Sequence, residues 1–224
     1  MLFRSVPAAS QPPADRTRFD QAAKEFIAAQ RANAERPEAR TTLANFLAQR
    51  GLGDDAETEY KAALQLSPQY ATAAINLADL YRQHGRDAEG ETVLRAALHA
   101  SPRDAAAHHA LGLTLSRLER PIDALAELRK ATGLEPDQAR YAYVYAVALH
   151  SSDRRDEAVA VLREALQRQP GDRDILSALV SFSRTAGDAN AALGYAERLA
   201  VITPEDRNLA ALIAELKRQM NKAN

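Results

Sequence analysis

Small and bulky apolar residues return along the chain with a fixed period, and prolines mark it. Pro68, Pro102, Pro136, Pro170 and Pro204 stand 34 residues apart. With that proline set as slot 32, five repeats begin at Pro37, Ala71, Ala105, Ala139 and Arg173. Slot 8 reads Ala44, Ala78, Gly112, Ala146 and Val180; slot 20 reads Ala56, Gly90, Ala124, Ala158 and Ala192. Slot 27 reads Ala63, Ala97, Ala131, Ala165 and Leu199. Large residues recur at slot 7 (Leu43, Leu77, Leu111, Tyr145, Leu179) and at slot 24 (Tyr60, Leu94, Leu128, Leu162, Ala196). Slots 7, 8 and 11 share one face of a first helix, and slots 20, 24 and 27 share one face of a second. Small side chains at 8, 20 and 27 let two helix axes approach, while the bulky ones fill the space beside them. Slot 15 is Gly51, Gly85 and Gly187 in three repeats, and Glu119 and Asp153 in the other two. Glycine there suits the left-handed end of a helix before a sharp turn. Pro121 fits the first turn of a second helix, and the slot-32 proline cannot continue one. The pattern predicts an all-α chain of helix–turn–helix repeats.

The ends follow the same pattern. Residues 1–17, with Pro7, Pro12 and Pro13, read as a flexible linker. Residues 18–36 carry Ala22, Phe26 and Ala29 at slots 20, 24 and 27, a second helix without its first. Full repeats then occupy 37–70, 71–104, 105–138, 139–172 and 173–204. Residues 205–220 place Leu209, Leu212, Ile213 and Leu216 on one side and read as a capping helix, followed by a polar tail at 221–224. Ser183 at slot 11 and Ala196 at slot 24 make the fifth repeat the weakest, and it is expected to fray first.

These slots and this period resemble the tetratricopeptide repeat family over residues 37–204. The resemblance implies a right-handed superhelical solenoid of antiparallel helix pairs, with first helices lining a concave groove. The usual aromatic at slot 4 is missing: Arg40, Ala74, His108, Ala142 and Leu176 stand there. The family's groove-facing slots are 2, 5, 9 and 12. In repeats 1 and 2 they supply the candidates Asn45, Thr72, Ile75, Asp79 and Arg82. In repeats 3 to 5 they supply His109, Leu113, Arg140, Tyr143, Val147, His150 and Arg184. Leu113, Tyr143 and Val147 form an apolar middle flanked by His109, Arg140 and His150, as a peptide-binding groove needs. The alternative is that these side chains pack against neighbouring first helices and the groove is inert. Family members that clamp a chaperone's C-terminal carboxylate do so with cations. Here the corresponding slots hold Thr41, Ala106 and Ala110, so that function is not expected.

Charge narrows the partner. Lys plus Arg number 29 and Asp plus Glu 30, for a net charge of −1, so no electrostatic drive toward nucleic acid or membrane is expected. Cysteine is absent, which excludes disulfides, thiolate metal sites and haem attachment through Cys in this chain. No apolar stretch is long enough to span a bilayer. The five histidines show no ligand spacing, and His108 and His109, adjacent on a helix, read as surface residues. The run Asp153–Glu157 reads as a solvated inter-helix turn. No nucleophile elbow, phosphate loop or glycine-rich fingerprint is present. The expectation is a non-catalytic scaffold for a protein or peptide, with no cofactor or metal of its own.

Three stretches, Arg18–Ala39, Ala73–Glu89 and especially Ala139–Leu162, resemble more narrowly the C-terminal repeats of bacterial multihaem c-type cytochromes. That resemblance implies an accessory domain of a periplasmic electron-transfer protein, with haem confined to an upstream domain; a free-standing chain would instead be cytoplasmic. The opening MLFRS then reads as a scar rather than a native start. A repeat region of a larger catalytic protein is a third possibility.

Overall fold

The protein's structure, a computed structural model, describes residues 13–223. Among these it contains twelve α-helices and no strand. They are α1 (Pro13–Arg31), α2 (Pro37–Gln49), α3 (Gly53–Leu66), α4 (Ala71–Gln83), α5 (Asp87–Ala100) and α6 (Ala105–Arg117). There follow α7 (Pro121–Leu134), α8 (Ala139–Ser151), α9 (Arg155–Arg168), α10 (Arg173–Thr185), α11 (Ala189–Ile202) and α12 (Arg207–Ala223). Every first helix (α2, α4, α6, α8, α10) has 13 residues and every second helix (α3, α5, α7, α9, α11) has 14, so the period is a structural repeat and the fold an all-α helical-repeat solenoid.

The repeat is built as its slots dictate. In the five full repeats all residues at slots 7, 8, 20, 24 and 27 are buried. Burying one leucine contributes about 1.5–3 kcal/mol. In repeat 3 the helices approach so closely that a Cβ on Gly112 would lie 2.6 Å from Leu128 Cγ and 3.2 Å from the Ala124 carbonyl oxygen. Each second helix ends two residues before its slot-32 proline.

The turns between first and second helices share one geometry. Gly51, Gly85 and Gly187 have φ of 77°, 70° and 76°. Glu119 and Asp153, at the same slot, adopt φ of 58° and 60° although they carry side chains. In all five turns the N–H one residue later donates to a carbonyl five residues back: Leu52 to Leu47, Arg86 to Tyr81, Arg120 to Leu115, Arg154 to Leu149 and Asp188 to Ser183, at 2.8–3.0 Å. This bond closes the helix end and fixes the turn. The Asp153–Glu157 run is divided by it. Asp153 and Arg154 form the turn, and Arg155 opens α9.

The described chain falls into two compact units, one ending at Ser101 and the other beginning at Pro102. In the first, α2 packs on α3 and α4 on α5, and Leu43, Leu77, Tyr60 and Tyr81 anchor a core. Helix α1 covers α2. Its buried side runs through Ala23, Phe26 and Ile27, with Phe26 ring-packed on Phe46 at 4.7 Å. Ala22 and Ala29, expected on that side, are exposed. Among the described residues α1 has no first helix to pair with, and it presents its larger side chains to α2. Helix α1 also begins at Pro13, inside the segment read as a linker; the rest of that segment lies outside the described residues.

In the second unit α6·α7, α8·α9 and α10·α11 form the pairs, and α12 packs on α11 through Leu209 and Leu216. First helices α8 and α10 also pack backbone to backbone, whereas successive second helices α9 and α11 meet through side chains, Arg163 Nε donating to the Tyr195 hydroxyl at 2.9 Å.

Candidate functional site

In the N-terminal unit the candidate residues are largely committed to one another. Asn45 is half-buried and accepts hydrogen bonds from the Tyr60 hydroxyl at 2.5 Å and from Asn76 Nδ2 at 2.9 Å. Burial and the charge of Asp79 push the Tyr60 phenol up to about 12. Asp79 is exposed but accepts from Arg82 Nε at 2.6 Å and Gln83 Nε2 at 3.1 Å. Thr72 is exposed and Ile75 half-buried. Slot 5 points inward in repeat 1 as well, where Thr41 is buried and donates to the Pro37 carbonyl.

The C-terminal unit differs. Arg140, Val147 and Arg184 are exposed, and Leu113, Tyr143 and His150 are half-buried. Tyr143 packs against the unit's core. His150 stacks on Phe182 with centroids 4.0 Å apart and planes inclined by 16°. His109, read from the sequence as a surface residue on the groove's rim, is 8 % exposed. Its ring lies 4.7 Å from that of Tyr141, the slot-3 residue of the next repeat. Neither ring nitrogen has a hydrogen-bond partner. Burial, then the nearby Arg140 cation, lower its pKa to about 4, so it is neutral at pH 7. The His109 ring is covered by the adjoining first helix and does not reach the rim. The aromatic contacts at His109 and His150 join adjacent first helices, as the inert-groove alternative expects, yet Val147 between them stays open.

His108 also departs from the surface reading. It is buried, with Nδ1 2.5 Å from Glu127 Oε2 and Nε2 3.0 Å from the Pro102 carbonyl oxygen. Arg40 repeats this arrangement two repeats earlier. Its guanidinium donates to Glu59 Oε2 at 2.6 Å and, through Nε, to the Ala34 carbonyl at 2.8 Å. Slot 4 thus carries a donor that ties the second helix's slot 23 to a carbonyl at slot 32 of the preceding repeat. Where slot 4 is Ala74, Ala142 or Leu176, slot 23 is Val93, Val161 or Tyr195. The matched alternation of slots 4 and 23 was the signal available in the sequence.

Elsewhere the most perturbed carboxylate has a structural cause. Glu57 is held down to about 2, chiefly by the hydrogen bond from Arg86, and Tyr81 also donates to it at 2.9 Å. Among the described residues no group of three or more His, Asp or Glu side chains is placed to hold a metal. Among the described residues no helix is long and apolar enough to cross a membrane.

Comparison with known proteins bears on the fold. Two family models described as tetratricopeptide repeat match, one over residues 14–71 and 109–173 and the other over 53–114. No curated protein matches the chain. Among solved structures, YrrB, described as a TPR protein with an unusual peptide-binding site, is 23 % identical. It has a TM-score of 0.61, over 86 % of this chain and 97 % of that one. PilW, described as a widely conserved type IV pilus biogenesis factor, is 19 % identical with a TM-score of 0.63, over 83 % and 92 %. MamA is 18 % identical with a TM-score of 0.61, over 73 % and 90 %. At these identities the likeness is one of fold. The matches bear on the repeat family and not on the narrower resemblance to multihaem cytochromes. With the 34-residue period, the paired helices of constant length and family models that span most of the array, the chain belongs to the tetratricopeptide repeat family, whose members are generally non-catalytic interaction scaffolds.

Proposed function

We propose that this chain is a non-catalytic scaffold that holds a segment of another protein on the first-helix layer of its C-terminal unit. The observation that carries the reading is Val147, an apolar side chain 37 % exposed on that layer, with half-buried Leu113 at the same slot 9 of the preceding repeat and half-buried Tyr143 at slot 5 of its own. A few apolar anchors within a polar surround are what a peptide needs for capture. The candidates of the N-terminal unit, Asn45 and Asp79 with Arg82, are engaged internally and serve the fold first.

Because Tyr143 packs on the core, its removal would confuse binding with stability. Val147→Asp is the cleaner test. It is expected to abolish capture of the native partner by affinity isolation while leaving the thermal melt unchanged. Capture undiminished in the folded variant would remove this reading. The accessory-domain reading, with the chain as the C-terminal part of an exported multihaem cytochrome, rests on the resembling stretches alone. A haem stain of the native product tests it, and a haem-free band near 24 kDa excludes it.

A further inference from the structure

We infer that the segment held on this layer is acidic, with carboxylates on either side of an apolar anchor; the inference rests on the groove reading above. The charge of the C-terminal unit is divided unevenly between its layers. The first helices α6, α8 and α10 carry Arg117, Arg140, Arg173 and Arg184 against a single carboxylate, Asp174. The second helices are balanced: Asp123 and Glu127 against Arg129 and Lys130 in α7, three of each sign in α9, and Glu197 against Arg198 in α11. In the N-terminal unit the first-helix cations are already neutralised, Arg40 by Glu59 and Arg82 by Asp79. Arg140, Arg173 and Arg184 make no ion pair among the described residues, although the whole chain is nearly neutral. The nearby aspartates Asp104 and Asp172 are used as helix N-caps, accepting from Ala107 N and Ile175 N.

The cations bracket the apolar anchor. Arg140 and Val147 are seven residues apart on α8, about 10 Å along the axis, which an extended chain covers in about three residues. Arg184 borders a recess of about 430 Å³ lined also by Ser181, Thr185 and Gln219, wide enough for a side-chain carboxylate. An extended polypeptide with an apolar residue over Val147 and acidic residues about three positions away meets both features. A nucleic acid would meet the cations but leave the Val147 strip unmatched.

The test uses the full chain and three fluorescent nine-residue peptides with one central Phe, in which the flanking residues are Glu and Ser, Lys and Ser, or Ser alone. Anisotropy is expected to show the acidic probe binding at least tenfold tighter than the other two. The preference should shrink as salt rises from about 0.05 M to 0.5 M, where the screening length falls from roughly 14 Å to roughly 4 Å. Arg140→Glu with Arg184→Glu should remove that preference. Arg129→Glu with Arg155→Glu, the same charge change on second helices, should preserve it. Equal loss from both pairs would mean long-range attraction only and overturn the inference. Binding of all three peptides alike, abolished by Val147→Asp, would overturn it while leaving the groove reading in place. Failure of every peptide to bind would remove both. Tighter binding of oligouridylate than of the acidic peptide would reassign the surface to nucleic acid.

Discussion

Replacing Glu127 by Val takes away the acceptor of a histidine that has no water to turn to. The side chains of His108 and Glu127 are 7 % and 12 % exposed. Glu127→Val leaves His108 Nδ1 without its partner at 2.5 Å and frees Lys130 from its 2.9 Å pair. An unmet buried polar group costs about 1–3 kcal/mol, and the exposed lysine pair adds only a few tenths. His108→Ala leaves the Glu127 carboxylate, still buried, with Lys130 alone, at a similar cost. The double variant installs Ala and Val at slots 4 and 23, the pair that repeats 2 and 4 already use as Ala74 with Val93 and Ala142 with Val161. It leaves no stranded polar side chain, so it should be about 1–2 kcal/mol more stable than the sum of the single changes implies. Urea unfolding followed by helical circular dichroism measures all four corners of the cycle. Melting temperatures should fall by about 2–4 °C per kcal/mol in a chain of this size. Additivity of the two single changes within about 0.5 kcal/mol would refute the idea that slots 4 and 23 act as a matched pair.

Three further outcomes follow from the same geometry. Glu119 occupies a left-handed backbone at φ 58°, where a side chain costs about 1–2 kcal/mol, so Glu119→Gly should raise stability by about 0.5–1 kcal/mol once the looser unfolded chain is counted; a lower melting temperature would contradict this. His109 has its pKa lowered to about 4 in the folded chain, so the unfolded state binds its proton first as pH falls. Stability should therefore drop by about 2–3 kcal/mol from pH 6.5 to pH 4, and His109→Phe should flatten that slope; an imidazole that titrates near 6.5 by NMR would show the ring is not buried. Amide exchange should be faster in repeat 5, where buried Ser183 replaces the Leu or Tyr of slot 11, than in repeat 3; the reverse order would contradict the weakness assigned to Ser183.

The fold was legible because its determinants are periodic. A proline that ends a helix and small residues that let two axes meet act through local sterics, so their spacing alone gives helix boundaries and pairing. Even the turns at Glu119 and Asp153, which lack the expected glycine, obey the period, since packing on both sides imposes the left-handed residue. The buried histidines were not legible from helical direction, because slot 5 lies beneath the next repeat's slot 3, and that contact depends on how first helices approach each other. His108 could have been read from its partner at slot 23, but only by comparing two slots at once. The orientation of α1 was hidden for a related reason: its slots presuppose a preceding first helix that the described residues do not contain, and α1 packs on α2 instead. Of the site, the apolar strip at Val147 and the cations at Arg140 and Arg184 could be placed from the family's slots, while their freedom from ion pairs required the structure.

The central claim is that the first-helix layer of the C-terminal unit is where a partner segment lies. It is tested most directly by placing a photo-crosslinking amino acid at Val147, and separately at Ile122 on second helix α7, which is 83 % exposed. Irradiation of cells carrying each variant should give a discrete partner adduct from position 147 and none from 122. An adduct from 122 alone, or equal adducts from both, would place the partner elsewhere and contradict the account.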